Sequence, residues 1–143
     1  ELEFSTNEWQ TSVANTPSYR LVVSRSQPQR GCTFLTTLAP HALDGETPSI
    51  ESLKLEAGLG VRIRRRDEEV IVLVRETAAG TMSAEGVTTD ARIAVIRRVG
   101  ALVTGAAMLD GTHLAAAGRE NLLSSVEPGL TGGVLVDGAW KAQ

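Results

Sequence analysis

Nucleophilic catalysis needs a Ser, Thr or Cys beside a general base, and the only side chains here that titrate near neutral pH are His41 and His113. No G-x-S-x-G elbow occurs. Cys32 lies in the strand-like run Gly31-Cys32-Thr33-Phe34-Leu35, where a thiol reads as a small buried hydrophobe. His41 follows Pro40 in a loop, and His113 follows Asp110-Gly111-Thr112 at the start of a strand. Each reads first as an exposed loop histidine, with a base or sugar contact as the functional alternative. The lone cysteine excludes an intrachain disulfide, and no pair among Cys32, His41 and His113 has metal-ligand spacing, so no metal is expected.

The carboxylates are numerous enough for a glycosidase pair, yet nothing in their spacing singles one out. Asp44, Asp110 and Asp137 each precede a glycine, where an Asp side chain bonds the backbone of a turn. There is no D-x-D-x-D-G calcium loop and no G-x-x-x-x-G-K, and the glycines at Gly58 and Gly60 lack the helix that a dinucleotide loop requires. No catalytic residue is assigned and no cofactor is expected.

The densest positive feature is Arg62, Arg64, Arg65 and Arg66, with Arg97 and Arg98 ending another run. Guanidinium forks suit carboxylate and sulfate groups, so this row could read an anionic polysaccharide. Strand alternation puts Arg62 and Arg64 on one face, and Tyr19 or Trp9 could supply a stacking surface. Arg62, Arg64, Tyr19 and Trp9 are therefore the candidate substrate-binding residues. The plainer alternative is neutralisation of the arginines by Asp67, Glu68, Glu69 and Glu76 across a hairpin.

The elements that must position these residues are strands. Apolar residues recur at period two in 19–24, 32–38, 52–56, 61–65, 70–75, 91–97 and 101–108. In Val61-Arg62-Ile63-Arg64 the alternation implies a half-wet sheet, whereas the continuous run Val70 to Val74 implies a central strand. Gly58 to Gly60, Gly80, Gly118, Gly132-Gly133 and the three Asp-Gly pairs read as turns between the runs, and Arg65 to Glu68 reads as a hairpin connection. The one weak helical candidate is 118–125. The chain has 143 residues, 42% hydrophobic and 22% charged, with a net charge of −3. That length buries roughly two-thirds of its unfolded surface, enough for one core. These features predict a single all-β domain over 1–143, an antiparallel β-sandwich of about ten strands with an extended N-terminal arm over the first eighteen residues. Val70, Val72, Val74, Ile93, Val95, Phe34 and Leu35 are expected in its core. The acidic balance and the lack of a long apolar run argue against a nucleic-acid or membrane partner.

The order of features resembles the C-terminal β-sandwich region of heparinase II/III-like polysaccharide lyases. A W-x-S-like phrase, matched by Trp9-Gln10-Thr11-Ser12, leads to a strand ending in proline, matched by Phe34 to Pro40. Asp90 to Arg97, Ala106 to Leu114 and Gly118 are similar to that family's closing strands. The Tyr-Gly that often follows the W-x-S phrase is here Ala14-Asn15, and no H-x-H-x-D motif is present. The resemblance implies a β-sandwich that supports an active site held elsewhere, in a helical catalytic domain or companion chain that β-eliminates uronic-acid glycans. It also favours a periplasmic or secreted location.

Three functions are thus expected in order. The chain is the non-catalytic sandwich portion of such a carbohydrate-active enzyme, inactive alone and part of a larger protein. Failing that, it is a free-standing binding or assembly module, which a large apolar surface patch would favour. The third is a small hydrolase using His41 or His113.

Overall fold

The structure is a computed structural model describing residues 2–10, 17–25, 35, 37, 45–127, 129–136 and 139–142. Among these residues every regular element is a strand, and every pairing is antiparallel, as the period-two spacing predicts. By their contacts the residues group into two compact units, Glu1–Phe34 and Leu35–Gln143. In the first, the N-terminal arm takes the form of a hairpin, β1 (Leu2–Gln10) with β2 (Pro17–Arg25).

The second unit holds β3 (Ser49–Lys54), β4 (Gly58–Arg65), β5 (Glu68–Arg75), β6 (Met82–Ala84), β7 (Val87–Thr89), β8 (Ile93–Val99), β9 (Leu102–Leu109), β10 (His113–Ala116), β11 (Arg119–Ser124), β12 (Leu130–Val136) and β13 (Ala139–Ala142). They form a seven-stranded sheet, β13-β12-β9-β8-β5-β4-β3, and a four-stranded sheet, β11-β10-β7-β6. The continuous apolar run of β5 does sit centrally, paired with β4 on one side and β8 on the other. Two-residue loops join β6 to β7 and β10 to β11. Their residues Glu85 and Gly86 (φ 53° and 70°) and Ala117 and Gly118 (φ 52° and 73°) are left-handed throughout, the backbone that matches strand twist in a tight hairpin.

One core joins the two sheets. The seven-stranded sheet contributes Leu53, Ile71, Leu73, Ala94, Ile96 and Met108, and the smaller sheet Met82, Val87, Leu114, Ala116 and Leu122. This reverses the expected core. Ile71 and Leu73 are 0% exposed, whereas Val70, Val72 and Val74 are half-buried on the other face. Ile93 and Val95 likewise yield to Ala94 and Ile96. A run that is apolar at every position carries no polar alternate to fix which face turns inward, and a one-residue change of phase moves the whole set across the sheet. Leu35 is 36% exposed, and Phe34 lies outside the described residues, as does most of the expected strand 32–38.

Three further expectations are corrected. Gly58 to Gly60 and Gly132-Gly133 lie inside β4 and β12, not in turns. At Gly60 a Cβ would sit 3.0 Å from the Leu53 Cβ, so close packing on the core face explains the glycine. The weak helical candidate is β11, whose Leu122 is buried against the core.

Candidate functional site

Polar side chains gather at the two ends of the sandwich. At one end Arg62 stands opposite Ile71 and Glu51, so it faces the core side of its sheet, not a wet outer face. Its side chain is only 12% exposed and pairs with Glu51, with Glu85 at 2.6 Å and with Glu69 at 4.0 Å. Glu69 also takes Arg64 Nε at 2.8 Å and Arg98 Nη1 at 3.5 Å, and Arg98 Nη2 donates to the Glu85 carbonyl at 2.7 Å. Because Glu85 belongs to the β6–β7 turn, this cluster ties the four-stranded sheet to β3, β4, β5 and β8. The hydrogen bond to Glu51 raises the Arg62 pKa, burial opposes it, and the charges of Glu51 and Glu85 add to the rise. Arg62 is therefore a permanent cation. Three arginines here meet three glutamates, so the cluster is balanced internally. Glu69 acts as the hairpin alternative allowed, pairing Arg62 and Arg64, whereas Glu68 pairs Arg97 on β8 at 2.8 Å, outside that hairpin. The partners Glu51 and Glu85 were not legible, since they come from other strands and turns.

At the opposite end Asp90 binds together the two segments that cross between the sheets. Its Oδ1 accepts from the Thr112 and His113 amides at 2.9 and 2.8 Å, and its Oδ2 accepts from the Thr112 hydroxyl at 2.6 Å. The fully buried Thr89 hydroxyl donates to the His113 carbonyl at 2.8 Å and accepts from the Ala91 amide at 3.0 Å. Desolvation works to raise the Asp90 carboxyl, but the Thr112 hydroxyl and the His113 and Thr112 amides outweigh it and hold the group below its usual range. Gly111 is required here, because a Cβ would fall 2.4 Å from the Ala91 Cα. Asp110 pairs with Arg92 at 3.1 Å, and His113 donates from Nε2 to the Glu120 carbonyl. His113 is thus tied to the backbone of β11 rather than to a nucleophile. His41 and Cys32 lie outside the described residues.

Tyr19 and Trp9 belong to the first unit, at neighbouring register positions opposite Glu8 and Ser18. Arg62 and Arg64 belong to the second. Among the described residues no cluster of His, Cys, Asp and Glu could hold a metal ion, and no helix is long and apolar enough to cross a membrane.

The feature that sequence reasoning missed is the outer face of the seven-stranded sheet. Register places Val61, Val72, Val95, Ala107 and Gly132 in one row across five strands. The rows on either side carry Ile63 and Val70, then Leu59, Val74, Ile93, Leu109 and Leu130. Val61 is buried at 6% exposure, Val72, Val95 and Ala107 are half-buried, and Leu130 is 77% exposed. Such a face differs from the usual outer face of an antiparallel sheet, which alternates to polar residues. Comparison with known proteins finds no family model that matches the chain and no curated protein similar to it.

Proposed function

We propose that the chain is a non-catalytic β-sandwich module, the sandwich portion of a carbohydrate-active enzyme of the polysaccharide lyase kind, whose catalytic groups reside in a helical domain or companion chain. The observation that carries the non-catalytic part is the employment of the polar groups. Asp90, Thr89, Asp110 and His113 are bonded at the crossovers at one end, while at the other Arg62 and Arg98 reach Glu85 of the smaller sheet and Arg64 and Glu69 pair beside them. Groups committed to such bonds are poorly placed to move protons on a substrate. The lyase class, the uronic-acid glycan and the helical partner rest on the sequence resemblance. An anionic polysaccharide reaching Arg62 must displace Glu51, Glu69 and Glu85, so the arginine row is better explained as fastening.

The test is turnover by the purified chain on heparan sulfate, hyaluronan and alginate. No unsaturated-uronate absorbance is expected. Its appearance, or a hydrolytic activity lost in His41→Ala, overturns the non-catalytic reading. The second reading, a binding or assembly module, is favoured by the apolar rows of the outer face, half-buried for the most part and exposed at Ile50, Leu102 and Leu130, since exposed apolar surface of that kind marks an interaction site.

A further inference from the structure

We infer that the outer face of the seven-stranded sheet is a docking surface for an amphipathic helix whose apolar stripe is flanked by acidic residues. The inference rests on the docking reading above. Its first support is shape. Val61 is already buried at 6% exposure, and from Val72 to Gly132 the row crosses four strands. At the usual strand spacing that is about 14 Å, the length of roughly two to three helical turns. Gly105, Ala107 and Gly132 leave a depression bordered by Val95 and Arg97 on β8 and by Leu130 and Val134 on β12. Leu130 and Val134 stand four residues apart on one strand, about 13 Å, and a helix with its side chains is about 10–12 Å across. The missing side chains at Gly105 and Gly132 admit bulky groups of such a helix close to the sheet.

The second support is charge. The strand positions of this face carry the cations Lys54, Arg65, Arg97 and Lys141, and one acid, Glu68, which Arg97 already pairs. Lys54, Arg65 and Lys141 have no ion pair among the described residues. They border the apolar field at both edge strands and at one end, on a chain whose net charge is −3. The complementary partner is apolar in the centre and acidic at its margins. A second copy of this face would set cations against cations. An anionic bilayer would match the charge, but the described side chains of this face include no Trp or Tyr to seat at a lipid interface, and its concave centre suits a convex helix.

The experiment measures fluorescence anisotropy of two synthetic leucine-faced helical peptides, one with Glu and the other with Lys flanking the leucines, added to the full chain. The Glu-flanked peptide should bind at least about tenfold more tightly than its twin, and increasingly so at low salt. Ala107→Glu should weaken it by about tenfold or more, and so should Leu130→Glu, which alters a residue too exposed to affect folding. Combined Lys54→Glu, Arg65→Glu and Lys141→Glu should reverse the preference between the peptides. Four results overturn the inference: equal binding of the two peptides, no binding at all because other segments of the chain cover the face, stronger binding to phosphatidylserine vesicles that Leu130→Glu abolishes, or a dimer that Leu130→Glu dissolves. A dimer or vesicle binding lost in Leu130→Glu would overturn the helical partner and leave the binding or assembly reading standing, whereas no binding to peptide, vesicle or second copy would remove that reading too.

Discussion

The two faces of the seven-stranded sheet both carry apolar rows and have opposite roles. On the inner face Ile71, Leu73, Ala94, Ile96 and Met108 are at most 1% exposed and enclosed by the smaller sheet. On the outer face Val72, Val74, Ile93 and Val95 are half-buried beside Leu130 at 77% exposure. Inner residues gain burial within this chain, whereas most outer residues, Val61 at 6% exposure excepted, would gain further burial only against a partner. The difference teaches that hydrophobicity along a strand reports burial by something, and that only pairing and layering decide by what.

Adjacent residues on one strand give the largest contrast. Leu73→Asp puts an uncompensated charge into the core and should cost about 4 kcal/mol or more, or prevent folding. Val72→Asp, one residue away, should cost about 1 kcal/mol, which urea unfolding of both variants will show. Next in size is Asp90→Ala, which frees the Thr112 and His113 amides and should cost about 1–2 kcal/mol. Asp90 is held below its ordinary value of 3.8, so the folded chain releases this proton more readily than the unfolded chain. The stability it contributes is therefore present above that value and lost as pH falls through the lower folded value. Unfolding midpoints followed from pH 5 downward should decline more steeply in the parent chain than in Asp90→Ala.

Arg62→Ala should lower the thermal midpoint by about 2–5 °C, with the gap to the parent narrowing in concentrated salt, because the lost pairs are partly solvated. A variant as stable as the parent would remove Arg62 from the fastenings between the sheets. Smallest of all, Leu130→Glu should change stability by less than about 0.5 kcal/mol while altering the outer face. A large loss there would mean that the outer face is part of the fold's own core.

The fold class was legible because strand periodicity and turn chemistry are local. Strands β4, β5, β8 and β9 announce themselves through β-branched runs such as Val70 to Val74. The three-residue strands β6 and β7 were missed for want of such a run, although Met82 and Ala84 with Val87 and Thr89 alternate on either side of Glu85-Gly86. The phase of the core was not legible, since Val70 to Val74 offers apolar residues to both faces. Arg62 and Arg64 were rightly placed on the same side, and Arg64 does keep about half its side chain in water, but the spacing of two arginines cannot show that Glu51, Glu69 and Glu85 converge on Arg62. The Asp90 clasp depends on Thr112, 22 residues away, a distance at which sequence pattern is silent.

The assignment of inner and outer faces is tested most directly by thiol accessibility on β5. In a Cys32→Ser background, Val72→Cys and Leu73→Cys are each exposed to a maleimide in native buffer, and the labelling rates are compared. The expected result is rapid labelling at position 72 and, at position 73, labelling only as fast as the domain opens. Protection at 72 with ready labelling at 73 would place the core on the opposite face and contradict both the sandwich described here and the docking surface drawn from it.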